Sequence, residues 1–309
     1  MAETGRAPAR PVLERQPEPA ETPPETAGAA AVTEPEQPVL ELGPEPEARN
    51  AWLAEIWRHR GVIWVLARKD FHVRFKRASL GVLWAVVVPA VQAAVLTLVF
   101  SHFVRLHSHL PYGAYVLSGV LGWSYFTNTL PGGVTSIVDG TGLTDKVWFP
   151  RAILPIVPCL SGLVGLGISM VLLLIAAPIL GAHVDVHLLI LIPACALLVI
   201  ITAAMALVGS ALQVYFRDVR FIVGAMLMVW MYATPIMYPQ TALGKLGPWL
   251  DFNPMTGVIS LFHLAILGQT GSPTSWYRPV AISVGVAAVL AVVGLEAQRR
   301  HDRPFVDLL

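Results

Sequence analysis

Six apolar runs, at about residues 80–104, 112–134, 154–180, 188–212, 221–238 and 278–296, leave lipid as the one workable solvent for most of this chain. A helix crossing roughly 30 Å of hydrocarbon needs about 20 residues, and most of the runs meet that length. Lipid offers the backbone no partner, so every N–H and C=O must be satisfied within its own helix, and the expected fold is all-α. The fifth and sixth runs are the shortest and the second is the most polar, which makes five or seven spans the alternative count. The composition agrees, because 55% hydrophobic against 13% charged residues is not the balance of an ordinary soluble domain.

Orientation follows from the distribution of Lys and Arg. With the amino terminus inside, the inner segments hold Arg58, Arg60, Arg68, Lys69, Arg74, Lys76 and Arg77, then Lys146, Arg151, Arg217, Arg220, Arg299, Arg300 and Arg303. The outer segments hold Arg105, Lys245 and Arg278. Such a bias predicts a multi-pass protein of the plasma (inner) membrane with both termini cytoplasmic. The net charge of +1 says nothing, since it sums an acidic tail and basic loops that lie apart.

Four segments are expected. Residues 1–50 hold 10 of the 25 prolines and 10 of the 20 acidic residues and no aromatic residue, so they form a disordered cytoplasmic tail. They lack the basic start and short apolar stretch of a secretory signal. Residues 51–79 alternate large apolar side chains such as Trp57, Trp64 and Phe71 with seven cations, a pattern suited to an amphipathic helix lying in the headgroup layer. Residues 80–296 form the six-span transmembrane domain, and 297–309 a carboxy-terminal tail. Cys159 and Cys195 fall inside apolar runs and are expected to be buried thiols.

No hydrolase or transferase constellation is present. The loop Gly140-Thr-Gly-Leu-Thr-Asp-Lys146 fails as a phosphate loop because Asp145 stands where a glycine must cradle the phosphate, so any ATP and Mg must be bound by a partner subunit and no cofactor by this chain. His102, His107, His109, His183 and His187 are loosely spaced and without a carboxylate or thiolate companion. The inner loop Asp139–Arg151 is more informative, for Trp148 and Phe149 could be buried anchors in a soluble partner, with Lys146 and Arg151 as rim charges. The second inner loop sets Arg217 beside Asp218 at the membrane edge, as an ion pair stapling two helix ends or as a lipid headgroup contact. Pro235 and Pro239 must kink the fifth run, and the apolar stretch after it suits short helices dipping into the outer leaflet. Aromatic residues near span ends usually face lipid as a belt. Flat rings also stack on sugars, which makes Trp84, Tyr125, Phe126, Trp230, Tyr232 and Tyr238 candidates for lining a conduit.

Taken in order, Arg74-Phe-Lys-Arg-Ala-Ser-Leu-Gly-Val-Leu-Trp84, Pro89, Leu143-Thr-Asp-Lys-Val-Trp-Phe-Pro-Arg151, Leu154-Pro155, Val214-Tyr-Phe-Arg-Asp-Val219, Thr234-Pro-Ile-Met-Tyr-Pro239 and Asn253-Pro254 resemble the permease subunits of type-2 ABC exporters for lipid-linked polysaccharides. The resemblance runs from about residue 60 to 270. It implies a homodimer of six-span subunits, each docked on a cytoplasmic ATPase subunit, with re-entrant periplasmic gate helices and a channel between the subunits. By resemblance, Asp145, Lys146, Trp148, Phe149, Pro150 and Arg151 belong to the helix that couples to the ATPase. The Trp57–Arg77 region becomes a lateral entrance where a lipid diphosphate meets Arg74, Lys76 or Arg77, with Arg217 as a further headgroup contact. The long acidic tail departs from the family pattern.

The expected function is therefore ATP-driven export of a lipid-diphosphate-linked polysaccharide, with membrane lipids and the glycan as partners and nucleic acid excluded. Richness in alanine and valine points to a GC-rich genome and so toward galactan, ahead of O-antigen or teichoic acid. A drug or small-lipid exporter of the same superfamily is the nearest rival. An ion-driven transporter would need mid-membrane carboxylates where this chain offers Gln92 and hydroxyls, and a polymerase would have Asp251 as its single credible outward carboxylate.

Overall fold

The computed structural model describes residues 49–76, 81–103, 111–144, 149–182, 185–270 and 276–301. The tail expected to be disordered lies outside the described residues apart from its last two, as do Arg77, Asp145, Lys146 and Trp148. Every described element is helical: α1 (Arg49–Arg58), α2 (Arg60–Phe75), α3 (Trp84–Phe103), α4 (Tyr112–Asp139), α5 (Thr141–Thr144), α6 (Ile153–Ile179), α7 (Leu191–Tyr215), α8 (Val219–Tyr232), α9 (Pro254–Leu267) and α10 (Tyr277–His301). Tighter 3₁₀ turns lead into α3 and α7, and a longer one, Gln240–Phe252, leads into α9.

Among the described residues, four stretches are long and apolar enough to cross a membrane: Gly81–Ser101, Ile153–Ile179, Val186–Tyr215 and Tyr277–Arg300. The pair Gln240–Phe252 and Pro254–Leu267, bent by 115°, makes a fifth if counted as one span. The other two expected runs fall short for opposite reasons. At 28 residues α4 has the length, but it is studded with Gly, Ser and Thr because it occupies the centre of the bundle, packed on α3, α6, α7, α8 and α9. A helix that meets other helices needs small residues for close approach, and does not need a lipid-facing apolar surface. Gly133 shows the constraint, since a Cβ there would lie 2.6 Å from the Cβ of Ala206 on α7. The fifth run, expected to continue to 238, stops as a helix at Tyr232, and its 14 residues rise only about 21 Å.

The main core lines up along α4, from Tyr115, Leu121 and Phe126 to partners such as Leu173, Ile201 and Phe262. Beside it sits a smaller cluster, in which Ala67 of α2 meets Ile137 of α4, Phe149, Ile153, Leu154 and Val157 around the start of α6, and Ala211 of α7. The stretch expected to form an interface helix is helical but broken in two at His59, and Ile56, Ile63 and Leu66 pack against this smaller cluster. Polar clamps fix the carboxy-terminal end of α10, where Gln298 donates to the Leu207 carbonyl at 3.0 Å and to the Ser210 hydroxyl at 2.9 Å.

Candidate functional site

A recess of about 290 Å³ opens where the end of α2 meets α3, α4 and α6. Arg74 and Phe75 stand at its mouth and Trp84, Ala85 and Val88 form one wall, while Ser124, Tyr125, Asn128 and Thr129 face Ser161, Gly162, Gly165 and Ser169 across it. From Ser161 to Ser169 the wall follows eight residues of α6, a rise of about 12 Å. The recess therefore begins with a guanidinium at the level of the surface helix and continues inward past hydroxyls and two aromatic rings. Gly162 is dictated by the crossing of α4 and α6, since a side chain there would run into Thr129 Oγ1 at 2.8 Å. Gly165 is roomier, its nearest neighbour for a Cβ being Ala85 at 3.4 Å.

Arg74 is held in place at this mouth. Its Nη2 donates to Asp70 Oδ2 at 3.3 Å, one helical turn back, and its Nη1 reaches the Asn128 carbonyl at 3.5 Å. Asp70 also accepts from the hydroxyl of Ser161 on α6. Of the expected entrance residues among those described, Arg74 alone lines the recess: Lys76 is exposed just beyond α2, and Arg217 sits in the α7–α8 turn. That turn is stapled by Gln213, which donates to the Arg217 carbonyl at 3.1 Å and accepts from the Arg220 amide at 2.8 Å, in place of the expected Arg217–Asp218 pair.

The loop between α4 and α6 holds the residues expected to couple to an ATPase. Phe149 is 4% exposed and Arg151 8%, so both side chains are covered within this chain. Phe149 packs into the smaller cluster with residues of α2, α4, α6 and α7. The cause is plain hydrophobic burial: a large ring next to the basic surface helix gains more under that helix's apolar face than in water. Pro150 is buried with it, and Asp145, Lys146 and Trp148 fall outside the described residues.

After α8, the kink expected from Pro235 and Pro239 is a turn whose freed carbonyls are taken up by tyrosines of α4. Tyr112 donates to Met237 O at 2.6 Å, and the Tyr115 hydroxyl is shared between Pro235 O and Tyr238 O at 3.0 and 3.1 Å. Asn253 ties the same turn to α9. Its Oδ1 caps the helix by accepting from Met255 N at 3.0 Å and accepts from Trp230 Nε1 at 2.9 Å, while its Nδ2 donates to Ala233 O and Thr234 Oγ1, both at 3.0 Å. Asp251 is fully buried, accepting from Gln240 at 3.1 Å and facing Arg278 Nε at 3.7 Å. These contacts tie Gln240–Phe252 to the start of α10. His187 does have a carboxylate companion, Asp185 Oδ2 at 3.4 Å, yet among the described residues no three potential metal ligands come together.

The expected conduit aromatics divide. Trp84 and Tyr232 are exposed, Trp84 and Tyr125 line the recess, and Tyr238 donates to the Tyr232 carbonyl at 2.7 Å. Tyr125 is nonetheless anchored, donating to the Cys159 carbonyl at 2.8 Å. Phe126 has no exposed surface: its ring packs against Trp123 and Trp230 at centroid distances of 5.3 and 5.6 Å, in the core of this chain. Sequence reasoning missed Asp70, Ser161 and Asn253 as geometric keystones. The one available signal was a lone carboxylate in a run of cations, with spacing that puts it on the face of Ala67 and Arg74.

Comparison with known proteins places this architecture. A family model described as ABC-2 type transporter matches residues 61–267. The chain is 27% identical over 253 residues to the O-antigen export system permease protein RfbA of Myxococcus xanthus, covering 80% of this chain and 96% of that protein. It is 24% identical over 248 residues to a protein of the same description from Klebsiella pneumoniae, covering 79% and 93%.

Proposed function

The chain is a member of the ABC-2 type transporter family, and from that footing we propose that it is the membrane-spanning, conduit-forming subunit of an ATP-driven exporter of lipid-diphosphate-linked polysaccharide. Two copies pair in the cytoplasmic membrane, each bearing a separate ATPase subunit that binds ATP and Mg. The six expected runs act as six crossings, α4 included, with Gln240–Phe252 and α9 as the re-entrant outer gate and both termini inside. The relatives' names make an O-antigen-like polymer as good a cargo as the galactan favoured by composition.

The observation that supports this best is the recess at the end of α2. A diphosphate headgroup at surface depth needs fixed cationic donors, and Arg74 supplies them at the mouth. Hydroxyls and flat rings behind it suit the first sugars: Trp84 and Tyr125 offer apolar faces, and Ser124, Thr129, Ser161 and Ser169 offer hydrogen bonds. Transmission of force also has a path. Closure of the ATPase pair pushes the inner loop, and because Phe149 shares a core with Ala67, the push reaches the surface helix that forms the entrance. ATP hydrolysis then resets the loop.

Depleting the protein should make a lipid-linked glycan accumulate on the inner leaflet, and chemical identification of that lipid names the cargo. Complementation with wild type should clear it. A Gly165→Leu chain, which fills the recess, should reach the membrane and fail to clear it. Depletion without any such accumulation, or clearance by Gly165→Leu at the wild-type rate, would defeat the proposal.

A further inference from the structure

Asp70 is the one acidic residue of α2, and it stands on the inward face of a helix that otherwise carries Arg60, Arg68, Lys69 and Arg74. Ala67, Asp70, Phe71 and Arg74 follow the spacing of a single helical face, and Ala67 is buried on it. A carboxylate on such a face is a poor choice for anchoring a helix in an interface, where an apolar residue would serve better. Its partners explain it. One oxygen carries both the Arg74 guanidinium and the Ser161 hydroxyl, joining the surface helix to α6 at the mouth of the recess. Its side chain is 34% exposed and that of Arg74 31%, so the pair is partly shielded and within reach of a ligand entering from the membrane surface.

We propose that Asp70 is the resident counter-ion of the entrance: it positions Arg74 at the mouth and is exchanged for the lipid diphosphate when substrate arrives. An unpaired guanidinium at this depth would hold a diphosphate tightly and would collect other anions from the cytoplasm. With Asp70 in place, an arriving diphosphate must take over donors of Arg74 that the carboxylate was using, while the Ser161 hydroxyl keeps the carboxylate solvated after it lets go. Affinity is thereby tempered and the headgroup can leave for the conduit. The inference rests on the recess being the diphosphate entrance. The simple alternative is an i, i+4 pair that merely steadies α2, which would leave ligand affinity unchanged when its charge is removed.

The test measures equilibrium binding of radiolabelled farnesyl diphosphate to the intact complex with its ATPase in nanodiscs, with inorganic pyrophosphate as competitor. Asp70→Asn keeps the shape and both hydrogen bonds and removes the charge. Binding should tighten about five- to tenfold, as expected for deleting one like charge a few ångströms from the ligand, while ATP-driven export slows. Ser161→Ala has the opposite sign, because a carboxylate that has lost its hydroxyl holds Arg74 harder and binding should weaken. Arg74→Ala should abolish binding in either background.

If Arg74→Ala leaves binding intact, the entrance itself has been misplaced. If Arg74→Ala abolishes binding but Asp70→Asn leaves it unchanged or weaker, the entrance stands and the counter-ion role fails. Should Asp70→Asn not assemble with the ATPase, Ser161→Ala carries the test alone, and unchanged affinity there overturns the proposal. Competition by pyrophosphate equal to that of the lipid probe would assign free diphosphate as the ligand and overturn the membrane-borne source.

Discussion

Phe149→Ala separates a lever that works inside the subunit from an anchor that works in the partner. The ring is 4% exposed and sits in a cluster shared by α2, α4, α6 and α7. Truncating a buried Phe costs about 3–5 kcal/mol in transfer and cavity terms. That cluster is small and separate from the main core along α4, so the loss should loosen the surface helix and the inner loop and leave the bundle folded. The complex with its ATPase should still co-purify and hydrolyse ATP at its basal rate, while ATP-driven export falls more than tenfold and α2 becomes sensitive to protease. Phe149→Leu, costing less than about 1.5 kcal/mol, should recover most of the export. The reasoning is refuted if Phe149→Ala keeps wild-type protease resistance and loses the ATPase subunit on purification, because the ring would then be buried in the partner.

Other outcomes follow from the same geometry. Gly133→Leu forces a side chain into Ala206 at the α4–α7 crossing and should lower the thermal midpoint of the purified complex by an overpacking cost of about 1–3 kcal/mol, whereas Gly142→Ala, with open space around its Cβ, should be silent. Asn253→Ala removes four hydrogen bonds, one of them the cap of α9, costs about 2–4 kcal/mol, and should expose Gln240–Phe252 to protease; Asn253→Asp keeps the two accepting contacts and should fall between. Arg278→Ala leaves buried Asp251 without its cation and should destabilise the outer segment more than the double change with Asp251→Asn, as a thermal-shift cycle would read.

How much was legible beforehand depended on what each residue type could betray. Runs of Leu, Val and Ile announced α3, α6, α7 and α10 within a few residues, because lipid-facing helices need no partner to explain their composition. The polarity of α4 looked like weakness in a span and was the mark of the central helix, a distinction that hydropathy cannot draw because it averages over what each face meets. Pro235 and Pro239 signalled a break. The tyrosines that repair it, Tyr112 and Tyr115, lie more than a hundred residues earlier, and nothing in a linear pattern joins them. Phe149 was read as a partner anchor and Phe126 as a conduit candidate from aromatic character alone; that neighbouring helices bury both rings is a tertiary fact no linear pattern carries. Arg74 stood out by charge, whereas the hydroxyls lining the recess became a site only when α4 and α6 crossed at Gly162.

The decisive measurement is transfer of a lipid-linked polysaccharide in proteoliposomes holding this chain with and without its ATPase. Transfer should require both proteins and ATP, and should stop in Gly165→Leu complexes that still hydrolyse nucleotide. Nucleotide consumption by this chain alone, or a complex that hydrolyses ATP while the glycan stays on its original face, would contradict the assignment.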